Sequence, residues 1–378
     1  MKKAVCISCT HHYQERAQYV EAVLRDAGYD CTYITSDFHH VAKKRHAVEL
    51  PHCVQIPTRA YQKNISVQRI YSHIRFAKDA IAKVRALRPD LLYVEVPPNS
   101  LCREAARYKK RHPEVKLIFD IFDMWPESFP NSRAKRLLKL PFGIWARFRN
   151  CGLPKADLVL TECNLFCQKL SKYLSGVKTE VLYLCRSKAT AEVVKPVPET
   201  EEIHLCYLGS INNIIDIPTI SALIGEINKL RPVVLHIIGD GESRENLIAC
   251  VTETGAKVQF HGKIYDNAQK QAVFDMCSFG LNIMKDSVCI GLTMKSVDYF
   301  AAGLPIINTI SGDTWAFVEE KEIGVNVNRE DLAQTACNIL ACMDKQDTLR
   351  ANTLEIFHAL FSFEKFSSVL QDKLKSLG

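Results

Sequence analysis

Short runs rich in Val, Ile and Leu alternate with amphipathic helical segments along nearly the whole chain. This alternation restricts it to parallel sheets with helical crossovers, an α/β fold. In the first half, strands are expected at about 4–9, 31–36, 53–56, 91–96, 117–122, 158–161 and 180–184. Between them Tyr19, Val23 and Leu24, then Ile70, Ile74, Ala77 and Ile81, recur at helical spacing. A second series follows at 203–208, 233–238, 258–261, 280–284 and 305–308, with 325–327 as a short sixth strand. The length of 378 residues suits two such doubly wound domains.

The polar segment KATAEVVKPVPETEE, interrupted by Pro196 and Pro198, reads as the linker. The expected organisation is therefore an N-terminal Rossmann-like domain over 1–195 and a C-terminal one over 196–343. Two helices over 344–378, the second at 364–377, have no strand of their own to cover and are expected to pack as an appendage. Ligands of open parallel sheets bind beyond the carboxyl ends of the strands, so two such sheets facing each other would create one cleft.

Charge is unevenly distributed. Residues 1–195 hold 34 Lys and Arg against 18 Asp and Glu, a balance of +16, and the remainder holds 15 against 24, or −9. A basic first half is drawn to anionic surfaces, although two solvated surfaces of different charge would give the same count. The start, MKKAVCISCTHHYQE, is basic, but its apolar run is only one strand long, which argues against a secretory signal. No apolar stretch approaches the roughly 20 residues that span a bilayer, so the protein is expected to stay in the cytoplasm. Fifteen cysteines scattered over a chain of this size read as reduced, buried thiols. Cys6 and Cys9 have CxxC spacing but lie mostly inside the first strand, so neither redox chemistry nor a metal site is expected.

The candidate ligand-binding residues cluster in the second half. Gly209 and Ser210 follow the strand at 203–208, where a tight turn before a helix can present amides to phosphate. The next strand runs into GDGESRENL, which is not the dinucleotide fingerprint because Arg244 occupies the third glycine's place; a hydride-transferring enzyme is disfavoured. SVCIGLTMKSVDYFAAGLPIINT then places a small-residue loop before a helix that Thr293 can cap, with Lys295 and Asp298 three apart on one face. Taken alone, that pair would also fit a surface ion pair worth ~0.3 to 0.5 kcal/mol.

GDGESRENL, FHGKIYDN and MKSVDYFAAGLPII, in this order and spacing, resemble the donor domain of retaining GT-B glycosyltransferases of the group 1, family 4 type. The chain looks most like the bacterial enzymes of capsule, exopolysaccharide or lipopolysaccharide biosynthesis. DIFDMWPES (Asp120–Ser128) and YQKNISVQRIYSH (Tyr61–His73) look like that group's first domain. The resemblance implies transfer of a sugar from a nucleoside diphosphate sugar to a polyprenol-linked saccharide, with no cofactor, metal or nucleic acid. It implies that Asp298 holds the ribose, that Gly291, Leu292 and Thr293 offer amides to the diphosphate or sugar, and that Lys263 and Ile264 reach the base and nearby phosphate. The chain departs from the pattern where Ile290 replaces the acid that contacts the transferred sugar, a role open to Asp286 instead. GSINNIID lacks the basic residues usual after the first donor-domain strand, which leaves the phosphate charge to Lys295. A nucleotide-sugar epimerase of similar fold and a catalytically silent scaffold are the alternatives.

In the first half, Asp123 and Glu127 lie at a strand's end and are the candidate catalytic residues for handling the acceptor, although capping and loop solvation would equally account for them. Phe122 replaces a His common in relatives. Arg69 and His73, four apart on a helix, are the candidate acceptor contacts for an anion, with a structural role open for His73 and the same ambiguity for His11 and His12. RAKRLLKLPFGIWARFRNCGLPKA combines Arg133, Lys135, Arg136, Lys139, Arg147 and Arg149 with Leu137, Leu138, Phe142, Trp145 and Phe148. This mixture suits an anionic membrane surface, here the inner face of the plasma membrane, unless the apolar residues are core. Pro141 and Gly143 are expected to break the segment into two short helices.

Overall fold

A computed structural model describes residues 1–9, 14–40, 42–48, 52–129, 136–191, 193–196, 198 and 200–378. His11, His12, Arg133 and Lys135 lie outside the described residues. The chain divides into two units, Met1–Tyr183 with Phe366–Gly378, and Leu184–Lys365.

The first unit contains β1 (Lys2–Ser8), α1 (Gln14–Asp26), β2 (Tyr29–Ser36), a small antiparallel hairpin of β3 (Phe38–His39) and β4 (Lys44–Arg45), and β5 (Cys53–Ile56). It continues through α2 (Val67–Leu87), β6 (Leu91–Val96), α3 (Asn99–Arg111), β7 (Lys116–Ile121), α4 (Lys139–Asn150), β8 (Leu158–Thr161), α5 (Asn164–Leu174) and β9 (Lys178–Val181). Its parallel sheet has the order β5-β2-β1-β6-β7-β8-β9, so the winding reverses between β1 and β6. All six residues of β6 are buried, the continuous pattern of a strand covered on both faces.

The second unit contains β10 (Ile203–Leu208), α6 (Ile217–Leu230), β11 (Val233–Ile238), α7 (Arg244–Thr252), β12 (Lys257–Gly262), α8 (Asn267–Met276) and β13 (Phe279–Asn282). Then come α9 (Met294–Ala301), β14 (Ile306–Asn308), α10 (Asp313–Lys321), β15 (Gly324–Asn326), α11 (Leu332–Ala341) and α12 (Gln346–Ile356). The sheet order is β12-β11-β10-β13-β14-β15, with its reversal between β10 and β13. The turns after β10 and β11 pass so closely that a Cβ on Gly239 (φ +147°) would lie 1.9 Å from the Gly209 carbonyl oxygen. Only glycine fits there.

Three expectations differ from the structure. The second unit begins at Leu184, before the polar linker, because Leu184, Cys185 and Ala191 are buried and the N–H groups of Thr190 and Ala191 donate to Ala301 O. Residues 344–378 form no appendage. The helix α12 belongs to the second unit, whereas most of α13 (Phe363–Lys375) belongs to the first, where Phe366 packs 6.1 Å from the Tyr19 ring and Lys373 pairs with Glu180. Finally, α4 is one helix: Pro141 sits in its first turn, where a missing N–H removes no helical bond.

Candidate functional site

The carboxyl edge of the second sheet is built around α9. Thr293 caps this helix, its Oγ1 accepting from Ser296 N at 3.1 Å. The same hydroxyl donates to Asn282 Oδ1, Asn282 Nδ2 donates to Asn308 Oδ1, and Asn308 Nδ2 donates to Asn326 Oδ1, at 3.1, 2.9 and 2.8 Å. Each of β13, β14 and β15 therefore ends in an Asn, and the three side chains tie the strand ends to the α9 entrance. One turn along, buried Tyr299 fixes the helix under β10: its hydroxyl accepts from Leu208 N at 2.8 Å and donates to Cys206 O at 3.2 Å.

This anchoring carries Lys295 to the end of β10. The side chain is only 9% exposed, its Nζ lies 4.2 Å from the Tyr207 ring centroid, and its Cε borders Gly209. No hydrogen-bond partner reaches Nζ among the described residues. Desolvation pushes its pKa down to about 7. Nor, among the described residues, does any group accept a hydrogen bond from the backbone N–H of Gly291, Leu292 or Thr293, just before the helix. The Gly291 carbonyl, by contrast, is held by Thr314, whose Oγ1 and N donate at 2.7 and 3.0 Å. An unpaired buried ammonium beside unpaired amides at a helix start is a ready anion site.

Lys295 and Asp298 do not pair. Asp298 instead accepts from Arg186 Nε at 2.7 Å, and the two side chains are 25% and 19% exposed. Sequence reasoning missed Arg186, which lies 112 positions away and has no local pattern around it. The hydroxyl of buried Tyr207 donates to Ser210 O at 2.8 Å, shaping the turn, and Ser210 is exposed. Lys263 is exposed beyond β12 with its Nζ 3.9 Å from Asp240, next to half-buried Ile264. Ile290 packs against the core of this unit and lines a cavity of about 250 Å³ with Met284, Asp286 and Thr309. Asp286 is largely exposed and paired with Arg329, which also approaches Asp216 at 3.2 Å.

In the first unit the candidate acids have partners. Glu127 receives Arg149 at 2.6 and 3.1 Å, and that guanidinium is fully buried. Asp123 accepts from Ser128 Oγ at 2.7 Å; burial raises its pKa, against the pull of Ser128 and Arg69. His73 is buried edge-on to Tyr61, and desolvation followed by Arg69 holds its pKa well below the usual value, so it is a neutral imidazole. Trp145 and Arg149 are buried, which removes them from any surface contact. Cys9 is a protonated thiol, its pKa pushed up to about 12 by burial.

The two parallel units have the winding order of nucleotide-binding sheets, and the chain has the GT-B fold of the solved structures on which it superposes. Residues 202–345 match the family described as Glycosyl transferases group 1, so the second unit carries that family's domain. Sucrose-phosphate synthase from Thermosynechococcus elongatus superposes with a TM-score of 0.73 at 16% identity, covering 100% of this chain and 99% of that one. Anabaena HepE, determined with UDP and glucose, gives 0.65 at 14% identity over 100% of both chains. WaaG, a glycosyltransferase involved in lipopolysaccharide biosynthesis, gives 0.67 at 10% identity over 98% of each. At these identities the likeness is one of fold. No curated protein sequence matches the chain.

Proposed function

We propose that the chain transfers a sugar from a nucleoside diphosphate sugar to a lipid-linked saccharide in cell-surface polysaccharide assembly, with retention of configuration. The observation that carries this reading is Lys295: a buried ammonium without a partner is costly unless an anion completes it. The diphosphate is that anion. Its arrival favours the charged form of Lys295, and the negative charge that grows as the nucleotide leaves is met by this ammonium and the amides of Gly291, Leu292 and Thr293. Asp298, oriented by Arg186, has a second carboxylate oxygen for the ribose hydroxyls. That HepE was determined with UDP and glucose supports a nucleotide-sugar donor here.

A lipid-linked acceptor calls for contact with the membrane. Among the described residues no helix is long and apolar enough to cross one. However, Leu137, Leu140 and Ile144 stand 85%, 76% and 53% exposed at α4, beside exposed Arg136, Lys139 and Arg147. Such a face suits peripheral binding at the inner face of the plasma membrane, cations on lipid phosphates and apolar tips below them.

The test is to offer the purified protein a panel of UDP-, GDP- and other nucleotide sugars with and without membrane extract. Donor turnover that depends on lipid is expected. Turnover without any acceptor would instead identify an epimerase, and binding without turnover a silent scaffold.

A further inference from the structure

A second group of cations without carboxylate partners lies in the first unit, around Tyr61. Lys43 Nζ sits 4.7 Å from the Tyr61 ring centroid, and the Arg69 guanidinium lies 6.0 Å from that ring and 5.1 Å from the ring of Trp125. Asn64 ties the two together: its Oδ1 accepts from Lys43 Nζ, and its carbonyl accepts from Arg69 Nη1 at 2.9 Å. Tyr61 is itself buried and fixed by His40, whose Nδ1 is 2.6 Å from the phenol oxygen. The hairpin turn between β3 and β4 holds Lys43 at φ 56°, with its N–H donating to His39 O at 2.8 Å. Sequence reasoning singled out Arg69 but missed Lys43, which is far away in the chain and lies in a segment of mixed charge.

Neither cation has a carboxylate within ion-pair distance among the described residues, and Arg69 Nε is buried without a hydrogen-bond partner. Asp123, which feels the charge of Arg69, is already occupied by Ser128. Desolvation, then the neighbouring Arg69, pushes Lys43 down to about 8. The aromatic faces attract each cation, but the two like charges held together repel one another until an anion arrives. Arg69 is also the third residue of α2, a 21-residue helix in which Ser66 Oγ caps the Arg69 N–H, while among the described residues the N–H groups of Val67 and Gln68 have no acceptor. An ammonium, an unpaired guanidinium N–H and helix-end amides offer a tetrahedral anion several donors of different direction, whereas the hydroxyls of a neutral sugar need none of this charge.

We propose that Lys43 and Arg69, positioned by Tyr61, Trp125 and Asn64, form a phosphate-recognition site for the acceptor. Naming the ligand an acceptor rests on the transferase reading; the affinity for a phosphate group does not. The phosphate belongs either to a soluble phosphosugar or to the diphosphate of a lipid-linked saccharide, and the experiment separates these sources.

Full-length protein, with UDP saturating so that the donor side is filled, is titrated calorimetrically with a hexose 6-phosphate and with the free hexose. In parallel, its binding to phosphatidylcholine vesicles with and without undecaprenyl diphosphate is measured by flotation. At least one phosphate carrier is expected to bind about tenfold or more tighter than its phosphate-free counterpart, as charge-assisted bonds require. Lys43→Met and Arg69→Met should each remove most of that preference, and Lys43→Arg should restore it. Thermal unfolding identifies any variant that has simply lost its fold; Lys43, in a surface turn, keeps the test decisive if Arg69→Met is lost. Equal binding with and without phosphate, or wild-type affinity in folded Lys43→Met, overturns the site. Failure to bind UDP alongside intact, Lys43-dependent phosphate binding would sink the transferase reading and leave this site standing.

Discussion

Arg16 in the first unit and Lys295 in the second are both buried cations, but their surroundings are opposite. Arg16 donates twice to Asp120, at 2.8 and 2.9 Å, and to the carbonyls of Leu182 and Tyr183 at 2.9 and 3.2 Å. Tyr93 completes the cluster by donating to Asp120 at 2.6 Å. Lys295 has an aromatic face and, among the described residues, no acceptor. A buried charge whose bonds are complete fixes architecture, since any ligand would have to displace a partner. One whose bonds are missing is placed for something that arrives later.

The largest effect of a substitution is expected from removing a partner of Arg16. Asp120→Ala should destabilise the first unit by about 3–5 kcal/mol, because an unpaired guanidinium remains buried. Denaturant titration followed by fluorescence would measure this loss, and a change under ~1 kcal/mol would mean the pair is not structural.

One buried group in each unit should also tie stability to pH, and these two act in opposite directions. Glu95, buried at the end of β6, has its pKa raised to about 8 by desolvation and then by Asp120. The folded state keeps its proton where the unfolded chain has lost it, so stability present below about 4.5 is lost as pH rises to about 8. The loss is on the order of 5 kcal/mol, and Glu95→Gln should abolish this slope. In the second unit His236 is pushed down to about 4 by desolvation and by His204 and His261, which lie at 2.8 and 3.0 Å from its two ring nitrogens. Here the unfolded chain takes up the proton first, so stability falls as pH drops from about 6.5 to about 4, by on the order of 3 kcal/mol. Hydrogen exchange resolved by unit would see the second unit loosen in acid, and would see Glu95→Gln remove a loosening of the first unit in mild base; a first unit that responds alike with and without Glu95 would contradict its assignment.

A smaller effect is expected at Asp298. Asp298→Ala should weaken UDP binding about tenfold, or ~1.4 kcal/mol, while Arg186→Gln, which only orients the carboxylate, should cost less. Unchanged affinity in Asp298→Ala would remove the ribose from this site.

Much of this was legible in the sequence because a doubly wound sheet writes itself locally. The strands at 53–56, 91–96, 158–161, 203–208 and 233–238 fall where the apolar runs place them. Thr293 was readable as a cap for the same reason, its bond spanning only three residues. What stayed hidden depends on chain segments far apart. Lys295 and Asp298 looked like partners by helical spacing, but Tyr299 turns Lys295 inward and Arg186 claims Asp298. The return of α13 to the first unit is set by Phe366, Leu370 and Leu374, whose spacing gives an apolar face but not its destination. The Asn ladder left a signal that went unused: GLN, IIN and GVN each end a strand.

Whether Lys295 stands unpaired in order to serve a phosphate is tested by titrating UDP into wild type and Lys295→Met while measuring their unfolding. The variant should be at least as stable as wild type, since no bond is lost and a buried charge is removed, and its UDP affinity should fall tenfold or more. In the wild type, affinity should decline as pH rises through about 7, because binding then requires Lys295 to take up a proton. Full UDP affinity in a stable Lys295→Met protein, or a loss of stability as large as that of Asp120→Ala, would contradict the account.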